Sequence, residues 1–376
     1  MIDEALASIQ RAPAAAARTA PKPESVAEPV DVVRIGAKKT GKWKNPHRRL
    51  PQARWAVQLA YAAFFCLVGY EFYLFYAQAV WQVPITAHRP PAVEGFLPVS
   101  ALVGLKHLIA TGEWDEVHPA GLTILLAAIT GSMFARKTFC SWICPGGTFS
   151  RVLELAAKKT LFRRGRSLRV PRWLDLPLLS LKYLLLAFFV WTVFVTMPAQ
   201  AVEMFLLSPY NMAADAKMLL FFYELTAVGI SVLAALVVLS YVVKNFWCRY
   251  LCPYGALLGI FSLVSPSRVV RDAAACNDCR ACTRACPVEI PVHARGSVWT
   301  AECTGCLNCV AACTTPGALG ITRRGTKSLS PWLVPALGIG VVLAFWLTAR
   351  LTGRWETKLP TDVLIEVYRN AERLTH

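Results

Sequence analysis

Five stretches of the chain are apolar for longer than a soluble core helix needs, without the polar positions every third or fourth residue that would mark a solvent-facing side. They run from Trp55 to about Val83, Pro119 to Phe139, Leu174 to Met197, Met218 to Val243 and Pro331 to Ala349. Each predicts a helix long enough to cross about 30 Å of hydrocarbon. A sixth stretch, Phe96 to Ala110, is shorter and is interrupted at Lys106 and His107, which predicts an interfacial or re-entrant helix. The pattern divides the chain into four parts. Residues 1–54 are a disordered, basic N-terminus without the apolar core of a signal peptide. Residues 55–264 form a membrane domain of four spans, 265–327 a polar, cysteine-rich insert, and 328–376 a fifth span with a short tail.

Composition supports the membrane reading. Hydrophobic residues make up 55% and charged residues 17%, a balance a soluble protein of this length does not have. The net charge of +17 would suit nucleic acid if it formed one face. It sits instead in loops beside the apolar stretches, so nucleic acid is not an expected partner. The collar Arg34 to Arg54 before span one and the loops between two and three and between four and five carry 8, 10 and 10 Lys/Arg, while the alternate loops carry 2 and 1. The positive-inside rule then puts the N-terminus and the insert in the cytoplasm. The tail, with five Lys/Arg and four acids, is expected on the outer side. Cys66 inside span one and Lys182 inside span three read as an inert packing residue and a snorkelling cation.

Candidate chemistry enters with the cysteines. Eight of the thirteen lie between Cys276 and Cys313 in two runs of C-x2-C-x2-C-x3-C, the bacterial ferredoxin spacing for 4Fe–4S clusters. Three close thiolates wrap one face of a cubane, and the fourth reaches the other cluster. One cluster is therefore assigned to Cys276, Cys279, Cys282 and Cys313, the other to Cys303, Cys306, Cys309 and Cys286. Disulfides are disfavoured by cysteines two apart, and zinc by two interleaved sets where four ligands would suffice. The expected fold is an α-helical integral membrane protein of about five spans with a small bacterial-ferredoxin-like α+β insert holding two clusters.

The remaining four cysteines form a repeat. FCSWICPGG and WCRYLCPYG each end a span on the insert's side, placing Cys140 with Cys144 and Cys248 with Cys252 one helical turn apart, before Pro145 and Pro253. Three readings stand: a further metal or iron–sulfur centre, redox-active dithiols, or inert packing cysteines.

With two C-x3-C-P motifs followed by two ferredoxin runs, the chain from about Trp55 to Thr322 resembles the polytopic ferredoxin-type membrane proteins, the family of NapH, NosR and CcoG. The resemblance implies a bacterial cytoplasmic (inner) membrane and a place in respiratory electron transfer, as a component of an oxidoreductase system rather than a stand-alone enzyme. It also implies the quinone pool and a partner redox enzyme as contacts. The alternatives it leaves are a CcoG-like copper reductase or assembly factor, and a redox-sensing regulator. The chain departs from the family's members in several ways. Fifty residues before span one are few for the flavin domain of NosR, the tail is short for the terminal domain of CcoG, and a fifth span is extra for NapH. Cys313 is followed by Thr314 where a proline is usual. Candidates for taking protons from a quinol, read from the residues alone, are Glu71, His107, His118 and Glu224 on the outer side.

Overall fold

The computed structural model describes residues 45–84, 86–161, 170–323 and 327–374. The expected disordered segment, the basic residues up to 44 and the Arg163–Arg166 run lie outside the described residues.

The first apolar run forms α1, Leu50–Trp81, at 32 residues about 48 Å long. It ends at Gln82 in the left-handed region. The interrupted stretch forms α2, Pro98–Thr111. Its Lys106 does not face water: the ammonium donates to the carbonyls of Val193 and Phe194 at 3.0 and 3.3 Å. Helix α3, Pro119–Ala135, buries twelve of its seventeen residues, so its all-round apolar sequence reflects a central position among other helices. Beyond it come α4 (Pro145–Thr160), α5 (Arg172–Trp191) and α6 (Ala199–Leu206). A wide π turn, Thr192–Thr196, ends α5 and frees the carbonyls that Lys106 takes.

The fourth span differs from expectation. It is two helices, α7 (Ala214–Tyr223) and α8 (Ala227–Val242), bent by 85° at Glu224–Thr226. No proline or glycine marks the break. The Thr226 hydroxyl caps Gly229 N at 3.1 Å and starts a new helix instead of continuing the old one. Helices at 50–81, 173–196 and 333–351 are each long and apolar enough to span a membrane, and the bent pair reaches that measure only with its two halves taken together. Helix α3 falls just short in length. Leu67, Leu184, Phe188, Val228 and Leu347 are exposed on these helices, as lipid-facing residues should be.

After α9 (Pro253–Phe261) the insert begins. Strands β1 (Ser267–Arg271), β2 (Ser297–Val298), β3 (Leu319–Arg323) and β4 (Lys327–Leu329) form an antiparallel sheet in the order β2-β1-β3-β4. Val269 pairs with both Val298 and Ile321, and all three are buried. Two short helices follow the cysteine loops: α10 (Ala281–Arg284) and α11 (Asn308–Ala311). This core is continuous with one end of the membrane helices, where Leu50, Ala135, Trp142, Ile143 and Val334 join Val269, Leu307 and Ile321. Helix α12, Leu333–Leu351, crosses back. At Gly338 a Cβ would lie 2.7 Å from Thr138 Cβ, so only glycine lets the turn after α3 seat there.

The tail forms α13, Thr361–Arg369, packed against the other end of α1 through Phe72, Phe75, Tyr76 and Tyr368. Tail and insert thus lie at opposite ends of one long helix.

Candidate functional site

Both cysteine loops use one backbone design. Asp278 and Arg280 flank Cys279 with φ of 49° and 58°, and Gly305 and Leu307 flank Cys306 with 65° and 60°. Three of these carry a Cβ, so the loops hold left-handed residues at a cost of about 1 kcal/mol each. The result is two pockets. Cys276, Cys279, Cys282 and Cys313 line one, with His293 and Arg271 at its edge. Cys286, Cys303, Cys306 and Cys309 line the other, whose remaining wall includes Val269, Val288 and Ile290. The fourth cysteine of each run lines the pocket of the other run.

Chemistry fits an iron–sulfur group in each. Among the described residues no three His, Cys, Asp or Glu side chains converge as they would on a mononuclear ion; the thiols ring a space instead. Burial, reinforced by Cys306 and Cys303, pushes the Cys286 thiol up to about 12. Cys309 is held well above the ordinary range by burial and the same neighbours. Thiols that resist ionisation so strongly ionise together only around a shared cationic core. Cys279, the exposed member, is pulled the other way by the Thr314 hydroxyl 3.4 Å away and by Ala281 N–H. Thr314 follows Cys313 where Pro287 follows Cys286 in the first run, and the hydrogen bond is what it contributes.

The C-x3-C-P repeats form π turns, Phe139–Ile143 and Trp247–Leu251. Cys144 N bonds Phe139 O at 2.9 Å and Cys252 N bonds Trp247 O at 3.0 Å. Spacing of four in sequence suggested an ordinary helical turn; the wider turn keeps the two thiols on one side while opening the helix, a feature common at functional sites. Cys144 and Cys252 then become the caps of α4 and α9. Gly255 N donates to Cys252 Sγ at 3.2 Å, and the Gly146 and Gly147 amides serve Cys144 likewise. Each sulfur so sits at the positive end of a helix. All four thiols, Cys140, Cys144, Cys248 and Cys252, lie within electrostatic reach of one another, and the buried Lys137 reaches Cys140, Cys248 and Cys252. Cys66 is exposed on α1 and stands apart.

The turns that carry these thiols are bonded to the backbone and side chains around the second pocket. Ser141 Oγ donates to Thr304 O at 2.7 Å and Trp142 Nε1 to Gly305 O at 3.4 Å. Asn245 Nδ2 donates to Pro287 O at 3.0 Å, and Arg249 pairs with Glu289 at 3.5 Å. Arg136 Nη2 holds Thr300 O at 2.7 Å. Lys182, expected to snorkel, is fully buried and pairs with Glu302 at 2.5 Å, beside Cys303. Tyr183 OH donates to the same carboxylate at 2.8 Å. A partner 120 residues away leaves no local trace in the sequence.

The four quinol candidates are not gathered. His118 is locked in a buried network in which Arg89 binds Glu94 at 2.8 Å and Asp215 at 2.7 Å, with Tyr368 OH on Asp215 at 2.7 Å. His118 Nε2 lies 2.7 Å from Asn211 O. Glu71 and Glu224 are exposed and His107 half-buried. Gln58 of α1 bonds Ser141 O at 2.9 Å, and Glu71 lies about 20 Å further along that helix.

The family model described as a 4Fe-4S binding domain matches residues 117–169 and 225–270, and a 4Fe-4S dicluster domain matches 268–314. The chain is 40% identical over 294 residues to the putative electron transport protein YccM of Escherichia coli, covering 77% of this chain and 81% of that one. It is 28% identical to the protein NirI of Paracoccus denitrificans across 64% of this chain and 34% of NirI, so it spans about a third of NirI's length. Ferredoxin-type protein NapH of Escherichia coli is 26% identical across 56% of this chain and 72% of its own length. No solved structure matches. Both C-x3-C-P turns and both ferredoxin runs fall inside the matched segments, and this chain, a helical membrane protein with an iron–sulfur insert, belongs to the family of membrane ferredoxin-type 4Fe-4S proteins.

Proposed function

We propose that this chain conducts electrons between the membrane quinone pool and a partner redox protein, with the insert on the cytoplasmic face. Cys276, Cys279, Cys282 and Cys313 would hold one 4Fe–4S cluster, and Cys303, Cys306, Cys309 and Cys286 the other. Such clusters supply one-electron storage at a potential set by charge, hydrogen bonds and exposure. The observation that carries the reading is the seating of the second pocket on both C-x3-C-P turns. It gives an order: four-thiol site, buried second pocket, exposed first pocket. In that order Cys140, Cys144, Cys248 and Cys252 are the membrane-side station, as redox dithiols or ligands of a further centre. The Lys137 and Lys182 charges beside them favour electron-rich sulfur.

The far-end candidates do not suit this route. Glu71 and Glu224 lie too far from the thiols for one hop, and His118 has both nitrogens engaged. The reading therefore places quinol contact near the thiol end of the bundle.

Protein purified anaerobically in detergent should carry about eight irons and eight sulfides if two cubanes are present. Adding a quinol should change the cluster EPR signal, and an unchanged signal refutes the quinone link. A second reading, a metal reductase acting in assembly, is favoured by the four thiols gathered beside two lysines. Cys140→Ser with Cys248→Ser separates them: loss of copper reduction with the insert's iron intact supports assembly, and loss of quinol oxidation alone supports the conduit.

A further inference from the structure

The two cysteine loops share a backbone, so each is a control for the other, and they differ sharply in what they carry at matching positions. After the second cysteine of the run stands Arg280 in one and Leu307 in the other, both left-handed. Leu307 is buried in the core shared with the membrane helices, and Ala311 packs beside it. Their counterparts, Arg280 and Arg284, are exposed. A strained, left-handed arginine earns nothing from packing there.

Charges around the first loop are unevenly matched. Asp278 is taken by Arg271 at 2.9 Å, and Asp272 caps Ala274 N at 2.9 Å. Arg280, Arg284 and Arg295 have no ion-pair partner among the described residues. Arg284 lies in electrostatic range of Cys279, the only exposed thiol of the eight. Arg295 follows two residues after His293, which lines the same pocket. The loop's side-chain hydrogen bonds, Arg271 to Asp278 and Cys279 to Thr314, stay within the insert, whereas the second loop is bonded to the membrane helices.

We infer that the exposed face around Cys279, bearing Arg280, Arg284 and Arg295, is a docking surface for a small acidic soluble electron carrier. This rests on the two-cluster reading and names the kind of partner it lacks. A carrier seated there brings its redox group to the one exposed cysteine of the insert's eight, and one electron crosses, oxidising one protein as it reduces the other, with no bond made or broken. Steering by complementary charge raises encounter rates and is screened by salt.

The test uses the full chain with its iron, in nanodiscs, and two acidic probes, a flavodoxin and a plant-type ferredoxin, with affinity read by biolayer interferometry. Binding of at least one probe should weaken about tenfold between low and physiological salt. Arg284→Glu with Arg295→Glu, both outside the Cys276–Cys282 loop, should weaken it by about tenfold or more, and Arg280→Gln by less. Lys159→Glu, an exposed charge on α4, should leave it unchanged. Equal binding by all variants, salt-independent binding, or no binding of either probe by the parent chain overturns the proposal. So does a double variant that keeps its carrier affinity but loses adhesion to phosphatidylserine vesicles. Iron content and the EPR spectrum are read on the same samples. A parent chain without two clusters defeats the underlying reading, whereas intact clusters with unaltered affinities defeat the docking surface alone.

Discussion

Gly147 and Gly255 occupy the same place in the two C-x3-C-P repeats, and a methyl group at each meets different surroundings. At Gly147 a Cβ would sit 2.2 Å from the Cys140 carbonyl oxygen, about 1.2 Å closer than ordinary contact allows. The obstacle is backbone, which cannot rotate away. Either α4 moves outward, taking Cys144 with it, or the π turn opens. Overpacking of this kind costs about 1–3 kcal/mol, and a rigid neighbour puts it at the upper end. At Gly255 the nearest atoms are Cys252 Sγ at 3.6 Å and Cys248 O at 3.7 Å, a comfortable fit. There Gly→Ala should be neutral or gain about 0.5 kcal/mol from reduced freedom of the unfolded chain. Thermal unfolding in detergent, followed by tryptophan fluorescence, should show Gly147→Ala melting roughly 5 °C lower and Gly255→Ala unchanged or slightly higher. Reactivity of Cys144 toward a bulky maleimide should rise in the first variant only. Equal melting of the two variants, or a greater loss from Gly255→Ala, would refute the account of how the repeats are built.

The remaining predictions concern the charges the fold has buried. Lys182→Met strands Glu302 without its nearest cation and should cost about 3 kcal/mol, part of it recovered in the double variant with Glu302→Gln, both read by chemical denaturation. Burial raises the Glu302 carboxyl, but Lys137, Lys182 and Tyr183 outweigh it and hold it below its usual range. Its stabilisation is therefore complete above the unfolded value of about 4.3 and lost as pH falls through the folded one. The melting difference between the parent and Glu302→Gln should accordingly shrink between about pH 5 and 3. Tyr368→Phe removes the hydroxyl bonded to Asp215 and Arg89 and should cost about 1–2 kcal/mol, with tail proteolysis accelerating in step.

The long apolar runs and the cysteine spacing were legible because each depends on residues near one another in sequence. The two ferredoxin loops are written in thirty-eight consecutive positions, Cys276 to Cys313, and a span in about twenty. What escaped were features whose cause lies far along the chain. Lys182 reads as a snorkelling cation until Glu302 is beside it. Arg89, Glu94 and Asp215 look like scattered charges until the far end of the bundle collects them beside Tyr368. The break in the fourth span escaped for a different reason: Glu224 to Thr226 holds no helix breaker, and a single cap by Thr226 decides it. The π turns at Cys140 and Cys248 are hidden because a spacing of four suits an α turn equally well.

The clasp between Arg89 and Tyr368 also has a consequence for biosynthesis. The two partners are 279 residues apart, so at about 5–20 residues per second the ribosome needs roughly a quarter to one minute to deliver the second after the first. In that interval Glu94, five residues away, and then Asp215, 126 residues on, supply the counterions of Arg89. The far end of the bundle is thus sealed by α13, a helix made long after α1, and a chain released before it would expose an unfinished ionic site to quality-control proteases.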